Sequence, residues 1–187
     1  MRGSGKKMNK NINKKELAHF ISRMNRIITC HIGFCGVEAE EIYACLEGDF
    51  TEDCMVVTYD CDQIIGFLGL DAYDGKAEVW GPFVHEDYSF EEISKQMWDD
   101  LKKSTGTKIH TYYFFINKEN HQALQFTDKI GSKFSGEHLI LEAKQEEFEQ
   151  ASYFQIVEYE KDLENSFVYL HTIEYPSTYY SAQNIIT

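Results

Sequence analysis

The apolar pattern of this chain changes period at Cys54, and that change constrains the fold more than any other feature. Before it, apolar residues recur at helical spacing: Leu17, Phe20, Ile21, Met24, Ile27 and Ile28. After it come three runs rich in β-branched and aromatic residues: CMVVTYD, IIGFLGLDAYD and KAEVWGPFV. The first two are separated by CDQ, and the last two meet at Asp74-Gly75, a strong hairpin signal. Connections this short leave no room for a crossover, so neighbouring strands run antiparallel. The expectation is a three-strand meander. Gly66 and Gly69 fall inside its middle strand, where glycine marks a bulge or a close backbone approach.

The flanks complete an α/β (α+β) pattern. A helix is expected over Lys14 to Thr29, then a break at HIGFCG, then a helix from Val37 to Leu46 ended by Gly48. After the meander, VHEDY leads into a helix capped by Ser89, with Glu92 three residues on as a capping box. KIHTYYFFI reads as a strand, Lys118 to Ile130 as a helix, and SKFSGEHLILEAK as a further strand. The charged break QEEFEQ closes this unit, so the expected boundaries are 14–150, with 1–13 as a tag and disordered arm. Residues 151–187 read as strand, helix and the start of another helix, which hints at the beginning of a second unit. The expected sheet is mixed and mostly antiparallel, with helices on both faces.

Charge narrows the partners. The net charge is -13, which repels nucleic acid and anionic membranes. No apolar run is long enough to span a bilayer, and no leader segment is evident, so a cytoplasmic protein is expected. The five cysteines are widely spaced, with no CxxC and no histidine at ligand spacing, so no metal site is expected. An exchange of the tail strand YFQIVEY between two copies gives a homodimer as one expectation.

Three stretches together resemble the GNAT superfamily of acyl-CoA-dependent N-acyltransferases. VVTYDCDQIIGFLGL is similar to the family's second and third strands. AEVWGPFVHEDY is similar to the fourth strand and its exit, and ENHQALQFTDKIGSKFSGE to the later helix. The resemblance spans roughly Lys14 to Lys144. It implies acetyl-CoA as cofactor and a small-molecule or peptide amine as acceptor. It also implies direct attack of the amine on the acetyl group. By resemblance, Phe83, Val84, Ser89, Phe90 and Asn120 fall at cofactor-binding positions. Glu78 and His85, flanking the fourth strand, are the candidate general bases.

The motif is degenerate. Where the family places a basic residue and glycines, this chain has Ser89, Phe90, Glu92 and Ser94. Glu91 and Glu92 put negative charge where a diphosphate would sit, and Phe90 is bulky. Thr127 stands where the family's acidic tyrosine falls. The residues themselves leave ordinary roles open: Asn120 and Ser89 are good helix caps, and the strand aromatics Trp80, Tyr112, Tyr113, Phe114 and Phe115 are good core. Two functions follow, an acetyltransferase or a non-catalytic GNAT-like binding domain that has lost its diphosphate loop.

Overall fold

The structure is a computed structural model describing residues 12–138, 160–174 and 182–186. The chain divides into two compact units, Met1–Gly136 and Glu137–Thr187. The first unit opens with helix α1 (Lys14–Asn25), whose N-cap Asn13 accepts a hydrogen bond from the Glu16 N–H at 3.2 Å. Helix α2 (Ala39–Gly48) follows. Strands β1 (Met55–Asp60), β2 (Gln63–Tyr73) and β3 (Lys76–Val84) form the meander. Helix α3 (Phe90–Thr105), the short strand β4 (Thr111–Tyr113) and helix α4 (His121–Lys129) complete the unit.

The sheet order is β1-β2-β3-β4, antiparallel except for the β3–β4 pair, which is parallel. Asp74 and Gly75 turn the β2–β3 hairpin with φ of 49° and 74°, the left-handed pair that a two-residue turn needs. Each sheet face carries one core. Leu17, Ile21 and Met24 of α1 and Ile42 and Leu46 of α2 pack with Val57, Phe67, Trp80 and Phe83 on one side. On the other side Met97, Trp98 and Leu101 of α3 and Phe126 of α4 pack with Val56, Leu68, Leu70 and Val79. Each such side chain removed from water contributes about 1.5–3 kcal/mol.

The two strand glycines have separate reasons. An added Cβ on Gly66 would stand 3.0 Å from Ile93 and 3.1 Å from Met97, so this glycine lets α3 lie close on the sheet. On Gly69 it would meet the rings of Phe67 and Phe50 at 2.6 and 2.8 Å.

Several boundaries differ from expectation. α1 stops at Asn25, not Thr29, and Ile27 and Ile28 are exposed. Asn25 turns its side chain to the following loop, and that ends the helix. α4 starts at His121 because Asn117 and Asn120 organise a turn and a cap before it. Only Thr111–Tyr113 of KIHTYYFFI pairs with β3. Residues 132–138 are not strand, and the remainder of SKFSGEHLILEAK lies outside the described residues, as does YFQIVEY. In the second unit, helices α5 (Glu164–Glu174) and α6 (Ala182–Ile186) are described. Among the described residues no helix is long and apolar enough to cross a membrane.

Candidate functional site

The site begins where β3 and β4 part. They pair at Lys76–Thr111, Ala77–Tyr112 and Glu78–Tyr113, and then diverge. From Val79 to Val84, β2 is the strand partner of β3 among the described residues, and β4 no longer pairs with its other edge. A bulge falls within this stretch. Phe67 pairs with Phe83 and Gly69 with Trp80, so Gly81 and Pro82 face the single Leu68. Gly81 has φ 106°, and an added Cβ there would lie 2.8 Å from the Phe67 carbonyl oxygen. Only glycine fits.

Glu78 sits at the closed end of the fork, half-buried, directly across the hairpin from Asp71. Burial pushes its carboxyl up to about 7, the Asp71 charge adds to this, and the Trp80 indole N–H pulls the other way. Asp71 is itself raised, by burial and then by Asp49. Two carboxyl groups that cannot comfortably both ionise make a proton acceptor working near neutral pH. His85 lies seven residues further along, roughly 20 Å at the rise of an extended chain. Its Nδ1 accepts the Asp87 N–H at 3.3 Å, and the Asp87 carboxylate is 3.7 Å away. The two candidate bases therefore stand at opposite ends of β3 and do not form a pair. Tyr88, edge-on to His85, donates its hydroxyl to Asp60 at 2.8 Å and pins the exit loop.

At the open end lies the amino terminus of α3. The Ser89 hydroxyl oxygen accepts the Glu92 N–H at 3.4 Å, and the Ser89 carbonyl accepts the Ile93 N–H at 3.1 Å. Neither bond uses the N–H of Phe90 or Glu91, the other two of the helix's first turn. The Phe90 ring packs onto the α3-side core. The Glu91 charge is not left bare: Lys129 at the end of α4 meets it at 2.7 Å. That hydrogen bond and charge hold Glu91 below the usual carboxylate range. The sequence reading missed this lysine, since nothing local ties it to a residue 38 positions away.

The other candidates are occupied by structure. The side chains of Phe83 and Val84 are core, so only their backbone faces a ligand. Asn120 is buried; its Oδ1 accepts the Ala123 N–H at 3.1 Å and its Nδ2 donates to the His31 carbonyl at 3.3 Å. The Thr127 hydroxyl donates to the Leu124 carbonyl at 2.8 Å, and its side chain is buried.

No protein-family model matches the chain, and no curated protein sequence does. Solved structures do. An aminoglycoside acetyltransferase from an uncultured soil metagenomic sample aligns at 10% identity and a TM-score of 0.53, over 74% of this chain and 97% of its own. A predicted acetyltransferase with acetyl-CoA from Clostridium acetobutylicum aligns at 16% identity and 0.53, over 73% and 96%. The aminoglycoside N-acetyltransferase AAC(6')-Iy, in complex with the bisubstrate analogue CoA-S-monomethyl-acetylneamine, aligns at 15% and 0.51, over 75% and 99%. At these identities the likeness shows the fold alone, one that this chain shares with those acetyltransferases.

Proposed function

We propose that this chain binds acetyl-CoA along β3 and transfers the acetyl group to a small cationic amine, with Glu78 as general base. The observation that carries this reading is a carboxyl with a pKa of about 7 at the closed end of the β3–β4 fork. The bound cofactor would supply an acetyl thioester. The free edge from Val79 to Val84 would hold its arm, and the Phe90 and Glu91 amides with Lys129 would meet its diphosphate. Glu78 takes the proton that an ammonium must lose before its nitrogen can attack. Asp71 keeps Glu78 basic enough to do so, and both carboxylates favour a cationic acceptor. Thr127 offers no acid for the leaving thiolate, so turnover is slow.

The structural neighbours that act on aminoglycosides support an amine acceptor as a class. The test is calorimetry with acetyl-CoA, followed by an amine screen across pH. Micromolar binding with turnover rising through an apparent pKa near 7 supports the reading. A second reading, a binding domain without catalysis, is favoured by the glycine-free loop after β3 and by Thr127. No acetyl-CoA binding at millimolar concentration would establish it over the first. For residues 151–187 the proposed reading is the start of a second unit of this fold. Equilibrium sedimentation tests the companion expectation of a homodimer through the tail.

A further inference from the structure

We propose that Asn25 is a positioning residue for the acyl-CoA site, acting through the loop His31–Gly36, which it holds as a wedge in the β3–β4 fork. This rests on the reading of that fork as the cofactor site.

Asn25 is the last residue of α1 and is wholly buried. A buried carboxamide needs its oxygen and its NH2 group satisfied. Here both are used on one loop. Oδ1 accepts the Ile32 N–H at 2.8 Å. Nδ2 donates to the Cys35 carbonyl and to the Gly36 carbonyl, the latter at 3.1 Å. The backbone carbonyl of Asn25 accepts from His31 Nδ1 at 2.7 Å, which places the proton on that nitrogen. Asn120 adds a second anchor through its bond to the His31 carbonyl. Ile32, 2% exposed, fixes the loop to the core that holds Trp80 and Phe83.

The loop so fixed bonds the chain that follows β4. Ile32 bridges Ile116 in antiparallel fashion, Gly33 N–H donates to the Phe115 carbonyl at 2.6 Å, and Asn117 N–H donates to the His31 carbonyl at 3.2 Å. Parity identifies the edge involved. The Thr111 N–H points to the Gly75 carbonyl on the β3 side, at 3.4 Å. Along an extended chain the polar groups of successive residues alternate between edges. Phe115 and Asn117 share the parity of Thr111, so the loop takes over the edge that β3 has left. Phe34 then lies edge-on to Phe115 at 4.6 Å, with φ 61°, a strained angle for a phenylalanine that the loop's fixed path imposes. The loop satisfies the β4 wall of the fork and leaves the β3 wall for the ligand. Without the Asn25 side chain the loop loses three bonds, and its hold on the fork rests on Asn120, Ile32 and the bonds to the chain after β4 alone.

The test compares Asn25→Ala, Asn25→Asp and Asn25→Ser with Ile21→Val, a core truncation in the same helix. Two quantities are read: acetyl-CoA affinity by calorimetry, and amide exchange at Gly33 and Asn117 by NMR. Asn25→Ala should weaken acetyl-CoA about tenfold and speed exchange at both amides beyond the change in global stability. Asn25→Asp keeps the Ile32 bond but sets an oxygen against the Cys35 and Gly36 carbonyls, so it should weaken acetyl-CoA and open both amides at least as far as alanine does. Asn25→Ser, which keeps a hydroxyl donor, should fall between and keeps the test usable where the alanine variant does not fold. Ile21→Val should move neither readout selectively. Wild-type affinity in an Asn25 variant whose Gly33 and Asn117 amides have opened overturns the proposal and leaves the cofactor reading standing. A wild-type chain that does not bind acetyl-CoA sinks that reading instead. The positioning role falls with it, and unchanged protection at Gly33 and Asn117 in the Asn25 variants overturns the wedge as well.

Discussion

Glu78 is the residue on which the proposed chemistry turns, and its environment makes a prediction whose sign can be worked out. Its folded pKa of about 7 lies above the 4.5 of a free glutamate. The folded state therefore holds this proton more tightly than the unfolded state. Stability is unaffected below the unfolded pKa and is lost as pH rises from about 4.5 through about 7. Removing the charge reverses the loss. Glu78→Gln should be more stable than wild type at pH 8, by about 1–2 kcal/mol after allowing for water at this half-buried site, and equal to it at pH 4. Thermal melts at the two pH values check this. The same variant should lose about 10²–10⁴-fold in amine acetylation. Loss of stability at pH 8 would show that the carboxylate is held in a favourable ionised state and is no base. The sequence analysis did not pair Asp71 with Glu78, although the hairpin it expected implies that pairing. A two-residue turn at Asp74-Gly75 sets Tyr73 against Lys76 and so Asp71 against Glu78. The raised pKa was not legible, because it depends on α1 and α2 covering that face.

At the scale of elements, local signals did well and long-range ones were silent. The period change gave the meander, and the Ser89 cap gave the start of α3. The helix end at Asn25 was misread because Ile27 and Ile28 continue the apolar spacing while the Asn25 side chain bonds a loop up to eleven residues away. The bulge at Gly81 also escaped, since its cause is the approach of the Phe67 carbonyl from the neighbouring strand. Gly81→Ala should cost about 3 kcal/mol from the positive φ and that contact together, read as a lowered urea midpoint. The amino terminus of α3 gives a second test. Glu91 competes with any diphosphate for Lys129 and for the helix amides. Glu91→Gln should tighten acetyl-CoA severalfold, and Lys129→Met should weaken it. Neither should alter the binding of S-acetylpantetheine, which lacks the phosphates. Equal effects on both ligands would show that the pair acts through the fold and not on the diphosphate.

For the whole molecule, the net charge of -13 sets a field that the proposed donor and acceptor would feel with opposite sign. A cationic amine is drawn in, and the phosphates of acetyl-CoA are repelled. Salt screens both, with a Debye length of about 10 Å at 0.1 M and about 3 Å at 1 M. Raising ionic strength should therefore raise KM for the amine and lower Kd for acetyl-CoA. A basic cofactor loop would behave otherwise, since its cofactor affinity would fall with salt. Steady-state kinetics and calorimetry over a salt series measure the two trends. Opposed trends mean that this chain binds its donor through the thioester arm against an unfavourable field, as the open edge of β3 and the glycine-free loop require. Acetyl-CoA affinity that falls with salt would mean that Lys129 outweighs the rest of the molecule, and that the diphosphate is held more firmly than two amides and one paired lysine would suggest.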